Sequence, residues 1–170
     1  MRLAFILGIA ITAAAAVSPS AGAQVPKQLS SHKDWTTFAY AEKGKKVCYA
    51  AAKPADSEPK AVKRGEIFFL ITLRPAEKVV DEVSMVAGYP FKDGSEVVVE
   101  VDGKKFDLFT DTETAWARAV QTDKAIVQAM VKGNDLVVRG TSARGTKTVD
   151  RYSLQGFKAA HEAILKACAG

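Results

Sequence analysis

The sequence predicts a mainly β protein: an antiparallel β-sandwich or partly open barrel of about seven or eight strands, with a short inserted helix and a C-terminal helix across one face. Three observations carry that expectation. Val97, Val99 and Val101 alternate with Glu96, Val98 and Glu100, and Asp102-Gly103 follows at once. Ile67 to Leu73 is an apolar run rich in β-formers. Phe157, Ala160, His161, Ile164, Leu165 and Cys168 recur at steps of three and four.

Each element follows from local pattern. Gln24 to Lys33 reads as a polar lead-in, Trp35 to Ala41 as the first strand and Lys45 to Ala51 as the second. Lys53 to Arg64 holds Pro54, Pro59 and many charges, which predicts an exposed loop. Ile67 to Leu73 suits a central strand covered on both faces, ended by Pro75. Val83 to Ala87 is a further strand, and the period of two in Glu96 to Val101 marks a half-buried one. Asp102-Gly103 is a two-residue hairpin turn, after which Phe106 and Leu108 continue the inward face. A second hairpin pairs Leu136–Thr141 with Thr146–Leu154 around Ala143-Arg144-Gly145. Between the hairpins, Asp123 to Lys132 predicts a helix with Thr122 as N-cap and Gly133 as stop, its apolar face formed by Ile126, Val127, Met130 and Val131. In the C-terminal helix all six stripe residues are expected to face inward, with Lys158, Glu162 and Lys166 toward solvent.

The N-terminus bounds location. Arg2 precedes an apolar run from Leu3 to Val17, Ser18-Pro19-Ser20 breaks it, and Ala21-Gly22-Ala23 offers the small residues a signal peptidase requires. Residues 1–23 are therefore expected to be a cleaved signal peptide, and the protein periplasmic or secreted. The run is shorter than the roughly 20 apolar residues of a membrane-spanning helix, and no later segment is long enough. Removing 23 of the 170 residues leaves 147, a common size for one domain, 24–170. Loss of Arg2 takes the net charge from +5 to +4. So small an excess, on an exported chain whose aromatics do not interleave with its cations, argues against nucleic acid as a partner.

Both cysteines lie beyond the signal segment, where an exported chain meets an oxidising compartment. Cys48 and Cys168 are expected to pair, fastening the C-terminal helix to the second strand. A reactive thiol or a metal-ligand pair is the alternative. A zinc site usually requires four ligands, and two cysteines with the separated His32 and His161 do not form a recognisable set. No cofactor and no metal are expected.

Catalytic residues are equally sparse. His32 falls in the lead-in, and His161 on an apolar helix face. Ser142 or Ser153 could be combined with His161 and Asp150 into a triad, but no nucleophile-elbow sequence accompanies them. Asp107, Asp111 and Glu113 lie close together and could divide acid and base roles. A solvated turn accounts for them as well, and their spacing is not that of a calcium loop. Trp35 and Trp116 read as core anchors.

The last third of the chain carries Thr114-Ala115-Trp116-Ala117, then Gln128 to Gly133, Ser142-Ala143-Arg144-Gly145-Thr146 and Asp150 to Phe157, in that order. With Trp35, Cys48 and the closing Ala167-Cys168, these segments resemble the invasion-associated locus B family of alphaproteobacteria. Residues 53–95 contribute little to the likeness. The resemblance implies an exported envelope or secreted protein without established enzymatic chemistry, associated in pathogenic relatives with host-cell invasion and virulence. A structural factor that maintains the envelope is the alternative role, and a hydrolase with an unrecognised site a weaker one.

One exposed feature suits an interaction role. Arg139, Arg144, Lys147 and Arg151 concentrate positive charge around the second hairpin, where an envelope or host-surface protein or an anionic glycolipid could dock. A solvated hairpin with ordinary turn geometry is the bland reading of the same residues.

Overall fold

The computed structural model describes residues 25–169, so the expected signal peptide lies outside the described residues. Eleven strands form one continuous antiparallel sheet: β1 (Lys27–His32), β2 (Trp35–Glu42), β3 (Lys45–Ala52), β4 (Asp56–Glu58), β5 (Phe68–Arg74), β6 (Val79–Val86), β7 (Glu96–Val101), β8 (Lys104–Asp111), β9 (Thr114–Trp116), β10 (Asp135–Thr141) and β11 (Lys147–Ser153). Helix α1 (Val120–Lys132) is inserted between β9 and β10, and α2 (Phe157–Cys168) follows β11.

The spatial order is β1-β2-β3-β5-β6-β9-β8-β7-β10-β11-β4. Strand β4 leaves β3 near one end of the sheet and pairs with β11 at the other, so the sheet curls back on itself without closing. The Trp35 indole N–H donates to the Ser153 carbonyl at 3.0 Å, tying β2 to β11 across the opening. This is the partly open barrel of the two expected layouts, with more strands than the seven or eight expected.

Two of the three additional strands, β1 and β4, lack an apolar face. The expected lead-in contains β1, whose pairing with β2 is supported by Ser30 and Thr37 hydroxyls 2.8 Å apart. The expected loop contains β4, three polar residues beside β11. Each has a single strand neighbour and needs only backbone bonds on one side. Strand β9 is three residues long, too short to show a period.

Inside the curl, Phe69, Ile71, Leu73, Val83, Met85, Val97, Val99, Leu108, Leu136 and Val138 form a buried core. Strand β5 is covered on both faces over Ile71, Thr72 and Leu73 but alternates before them, where Phe68 and Leu70 are half-buried on the outside. Leu108 is buried as expected for β8, whereas Phe106 is only half-buried.

Helix α1 packs on β6, β7 and β8, and begins at Val120 behind Ala119, three residues before the expected start. Asp123 is therefore inside the first turn and its carboxylate accepts the Val83 backbone N–H at 2.9 Å. Helix α2 lies across β1, β2, β3 and β5. Phe157, Ala160, Ile164 and Cys168 are buried, His161 is partly buried, and Leu165 is 39% exposed, contrary to the expected six-residue inward stripe. The 3-4-4 spacing of the four buried residues already fills the face, and Leu165 stands one step around it. Phe157 meets the buried Trp35 edge-on, ring centres 4.7 Å apart. At the far end Cys168 is bonded to Cys48, with Cα atoms 6.0 Å apart.

Candidate functional site

Strands β10 and β11 pair without a register shift from Asp135↔Ser153 to Thr141↔Lys147. The period of two turns Thr148, Asp150 and Tyr152 into the barrel and leaves Arg139, Lys147 and Arg151 exposed outside. Arg139 lies 3.9 Å from Glu100 on β7, and Arg151 3.6 Å from Glu58 on β4. Arg144 and Lys147 sit at the exposed tip, and neither makes an ion pair among the described residues. The structure thus divides the four cations into two with carboxylate neighbours and two without.

The tip is held on several sides. Thr146 N–H donates to the Ser142 hydroxyl at 3.2 Å, and Gly145 N–H to the Ser142 carbonyl at 2.8 Å. Ala143 N–H donates to the Pro90 carbonyl at 2.8 Å, and Lys92 N–H to the Thr141 carbonyl at 3.0 Å, stitching the hairpin to residues 90–92. Between this edge and residues 62–63 lies a cleft of about 420 Å³. Val62, Lys63, Pro90, Glu113, Ala143 and Arg144 are the exposed part of its lining, and Tyr89, Ser142 and Thr148 the more buried part. Tyr89 Oη and Thr148 Oγ1 are 2.6 Å apart.

Behind Tyr89 lies an ion pair that the sequence reading missed. The Arg64 guanidinium donates to both oxygens of Asp150, at 2.6 and 2.8 Å, and to the Ala87 carbonyl at 3.0 Å from Nε and 2.8 Å from Nη2. It lies 4.8 Å from the centre of the Tyr89 ring. Burial pushes the Tyr89 phenol above its ordinary value against the lowering effects of Thr148 and Arg64, and burial pushes Tyr152 up further, with Asp150 adding to it. Both are therefore neutral hydroxyls at physiological pH. Arg64 belongs to the segment expected to be an exposed loop, yet its side chain is only 5% exposed. The signal for it was Asp150, a charge on the inward register of β11 that requires a cation within the barrel.

A family model described as Invasion associated locus B (IalB) protein matches residues 35–165. The chain belongs to this family. The crystal structure of invasion associated protein b from Bartonella henselae is similar in fold, with a TM-score of 0.60 at 15% identity, covering 86% of this chain and 100% of that one. A comparison with curated proteins finds no match.

In this IalB-family chain the side chains considered for catalysis are dispersed. His161 Nε2 lies 2.7 Å from Asp81 Oδ1, and its ring stacks on Phe157 with centres 5.8 Å apart. Asp150 is held by Arg64, Ser142 accepts from Thr146, and Ser153 accepts from the Gln155 N–H at 3.1 Å. The postulated Ser-His-Asp set is therefore not assembled. His32 bonds Ser30 at 2.8 Å within β1. Asp107, Asp111 and Glu113 are exposed, and among the described residues no three His, Cys, Asp or Glu side chains could hold a metal ion together. Trp116 is half-buried on the outer face of the sheet, 5.9 Å from Phe109, outside the core occupied by Trp35. No helix among the described residues is long and apolar enough to cross a membrane.

Proposed function

We propose that this chain is an exported, non-enzymatic interaction protein of the envelope or the secreted fraction, a single domain over 24–170 that docks an anionic partner on the β10–β11 hairpin. The observation that carries this reading is the exposure of Arg144 and Lys147, without ion pairs among the described residues, on a tip held by hydrogen bonds to Ser142, Pro90 and Thr141. A pre-ordered cationic tip loses little conformational freedom on binding and attracts acidic groups at long range. Membership of the IalB family supports an invasion-associated role. The apolar N-terminal run and the Cys48–Cys168 bond support export.

The test is crosslinking capture from envelope fractions with the natural chain and with an Arg144→Glu/Lys147→Glu variant of equal thermal stability. A crosslinked species lost in the variant supports the hairpin as the docking surface. Capture of the same species by both places the contact elsewhere. Export is checked by the mass of the periplasmic protein, which begins at Gln24 if residues 1–23 are removed.

A further inference from the structure

We propose that the cleft beside the hairpin tip is an anchor pocket for one apolar side chain of an acidic, extended peptide segment, the flanking carboxylates of which meet Arg144 and Lys63. The inference rests on the reading of the tip as a docking surface and adds to it the partner's class and the way it is gripped.

The argument begins with rigidity. Four separate stretches of chain meet at the cleft, residues 62–63, 88–90, 113 and 142–148, and each is fastened beneath it, Glu113 through its carbonyl, which accepts the Ala87 N–H at 2.9 Å. Gly65 N–H donates to the Gly88 carbonyl at 2.8 Å, Ala143 N–H to the Pro90 carbonyl at 2.8 Å, and the Arg64–Asp150 pair pins the 62–65 wall to β11. The cleft is therefore built into the fold, as binding sites usually are.

Its lining sets the chemistry. Val62 is 42% exposed at one edge, and with Pro90 and Ala143 it provides apolar contact for a side chain without burying a charge. The polar groups farther in are already engaged, Tyr89 and Thr148 with one another and the Ser142 hydroxyl with the Thr146 N–H, so an apolar side chain can sit over them. About 420 Å³ holds a single large side chain with part of its backbone, and is small for a folded surface.

Charge selects what flanks the anchor. Lys63 and Arg144 share the lining with one carboxylate, Glu113, and Lys147 is exposed at the hairpin tip. The balance is positive around an apolar centre, which complements a hydrophobic residue bracketed by Asp or Glu. A headgroup or a polyhydroxylated sugar would use the cations and leave the apolar wall unmatched.

The experiment is a ¹⁵N NMR titration of the full chain, expressed for export, with the peptide acetyl-Glu-Asp-Phe-Asp-Glu-amide. Controls are the same peptide with Ala for Phe, vesicles of anionic phospholipid, and an oligohexuronate. The expected result is shift changes centred on Val62, Lys63, Tyr89, Ala143 and Thr146, with binding about tenfold or more weaker for the Ala peptide. Ala143→Trp, an exposed change that fills the cleft while leaving Arg144 and Lys147 in place, should abolish the preference for Phe. Arg144→Glu should weaken both peptides. Equal binding of the two peptides would overturn the pocket and leave the cationic tip standing. Response to vesicles or the oligohexuronate but to neither peptide would overturn the partner class. Silence toward all four probes would overturn both the pocket and the docking surface.

Discussion

Arg64 and Asp150 meet through two parallel hydrogen bonds, 2.6 and 2.8 Å long, with side chains 5% and 0% exposed. The pair joins the 53–67 connection to β11, the strand whose outer face and tip carry the candidate docking cations. Removing one partner leaves a charge inside the barrel with no counter-ion. Arg64→Ala is expected to lower unfolding free energy by about 3–5 kcal/mol, and Arg64→Met with Asp150→Leu by markedly less, since the double change removes both charges together. Urea unfolding of the single and double variants checks this. Equal losses would mean that the guanidinium acts through packing alone.

The Cys48–Cys168 bond closes a loop with a sequence separation of 120 and holds the last turn of α2 on β3. Replacing both cysteines by Ala is expected to cost about 2–5 kcal/mol. Reductant should lower the melting temperature of the natural chain and leave that of the double variant unchanged. Intact mass of the oxidised chain should lie about two daltons below that of the reduced one, one hydrogen lost per sulfur on bonding.

Asp123 gives the fold a dependence on pH. Burial pushes its carboxyl from 3.8 to about 6, opposed by the Val83 N–H and reinforced by Glu82 and Asp81. The folded chain therefore holds this proton more tightly than the unfolded chain. The group contributes a stability that falls as pH rises from about 4 to about 6 and is flat above that, a change on the order of 2–3 kcal/mol. Asp123→Asn keeps an oxygen for the Val83 N–H and removes the titration, so it should flatten that part of the profile and be at least as stable at pH 7. Asp123→Ala should be less stable, because Val83 loses its acceptor. Thermal unfolding across pH 4 to 7 separates the three chains.

How much of this was legible depended on whether a residue had two neighbours to satisfy or one. Strand β7 must bury Val97, Val99 and Val101 while exposing Glu96, so its period of two is written in the residues, and Asp102-Gly103 ends it where the structure does. The hairpin of β10 and β11 was readable for the same reason. Strands β1 and β4 lie at the two ends of the sheet, where backbone pairing on one side suffices and the side chains remain polar. Nothing in their composition distinguishes them from a loop. The four cations were legible as a cluster, but their division was not. Glu58 and Glu100 reach Arg151 and Arg139 only because β4 and β7 flank the hairpin, a consequence of sheet order. The cleft was out of reach for a similar reason: its walls come from residues 62–63, 88–90, 113 and 142–148, and Arg64, which brings three of these stretches together, resembled one more solvated charge in a proline-rich stretch.

The seat of α2 against β1 gives the most local prediction. Gly156 sits at φ 88° immediately before α2, and a Cβ there would fall 2.0 Å from the His32 carbonyl oxygen, a backbone atom that cannot swing aside. Gly145, at φ 83° in the hairpin tip, has nothing within 4 Å of the corresponding position. The two glycines therefore separate conformational cost from steric cost. Gly145→Ala should lose about 1–2 kcal/mol, the penalty of a left-handed alanine. Gly156→Ala should lose that amount and more, because either His32 at the end of β1 or the start of α2 must move, and with them the contacts of Trp35 with Phe157 and the Ser153 carbonyl. Chemical unfolding of the two variants measures the difference directly, and faster amide exchange in β1 of the Gly156 variant locates it. Equal losses at both positions would show that β1 is not wedged against α2 in solution.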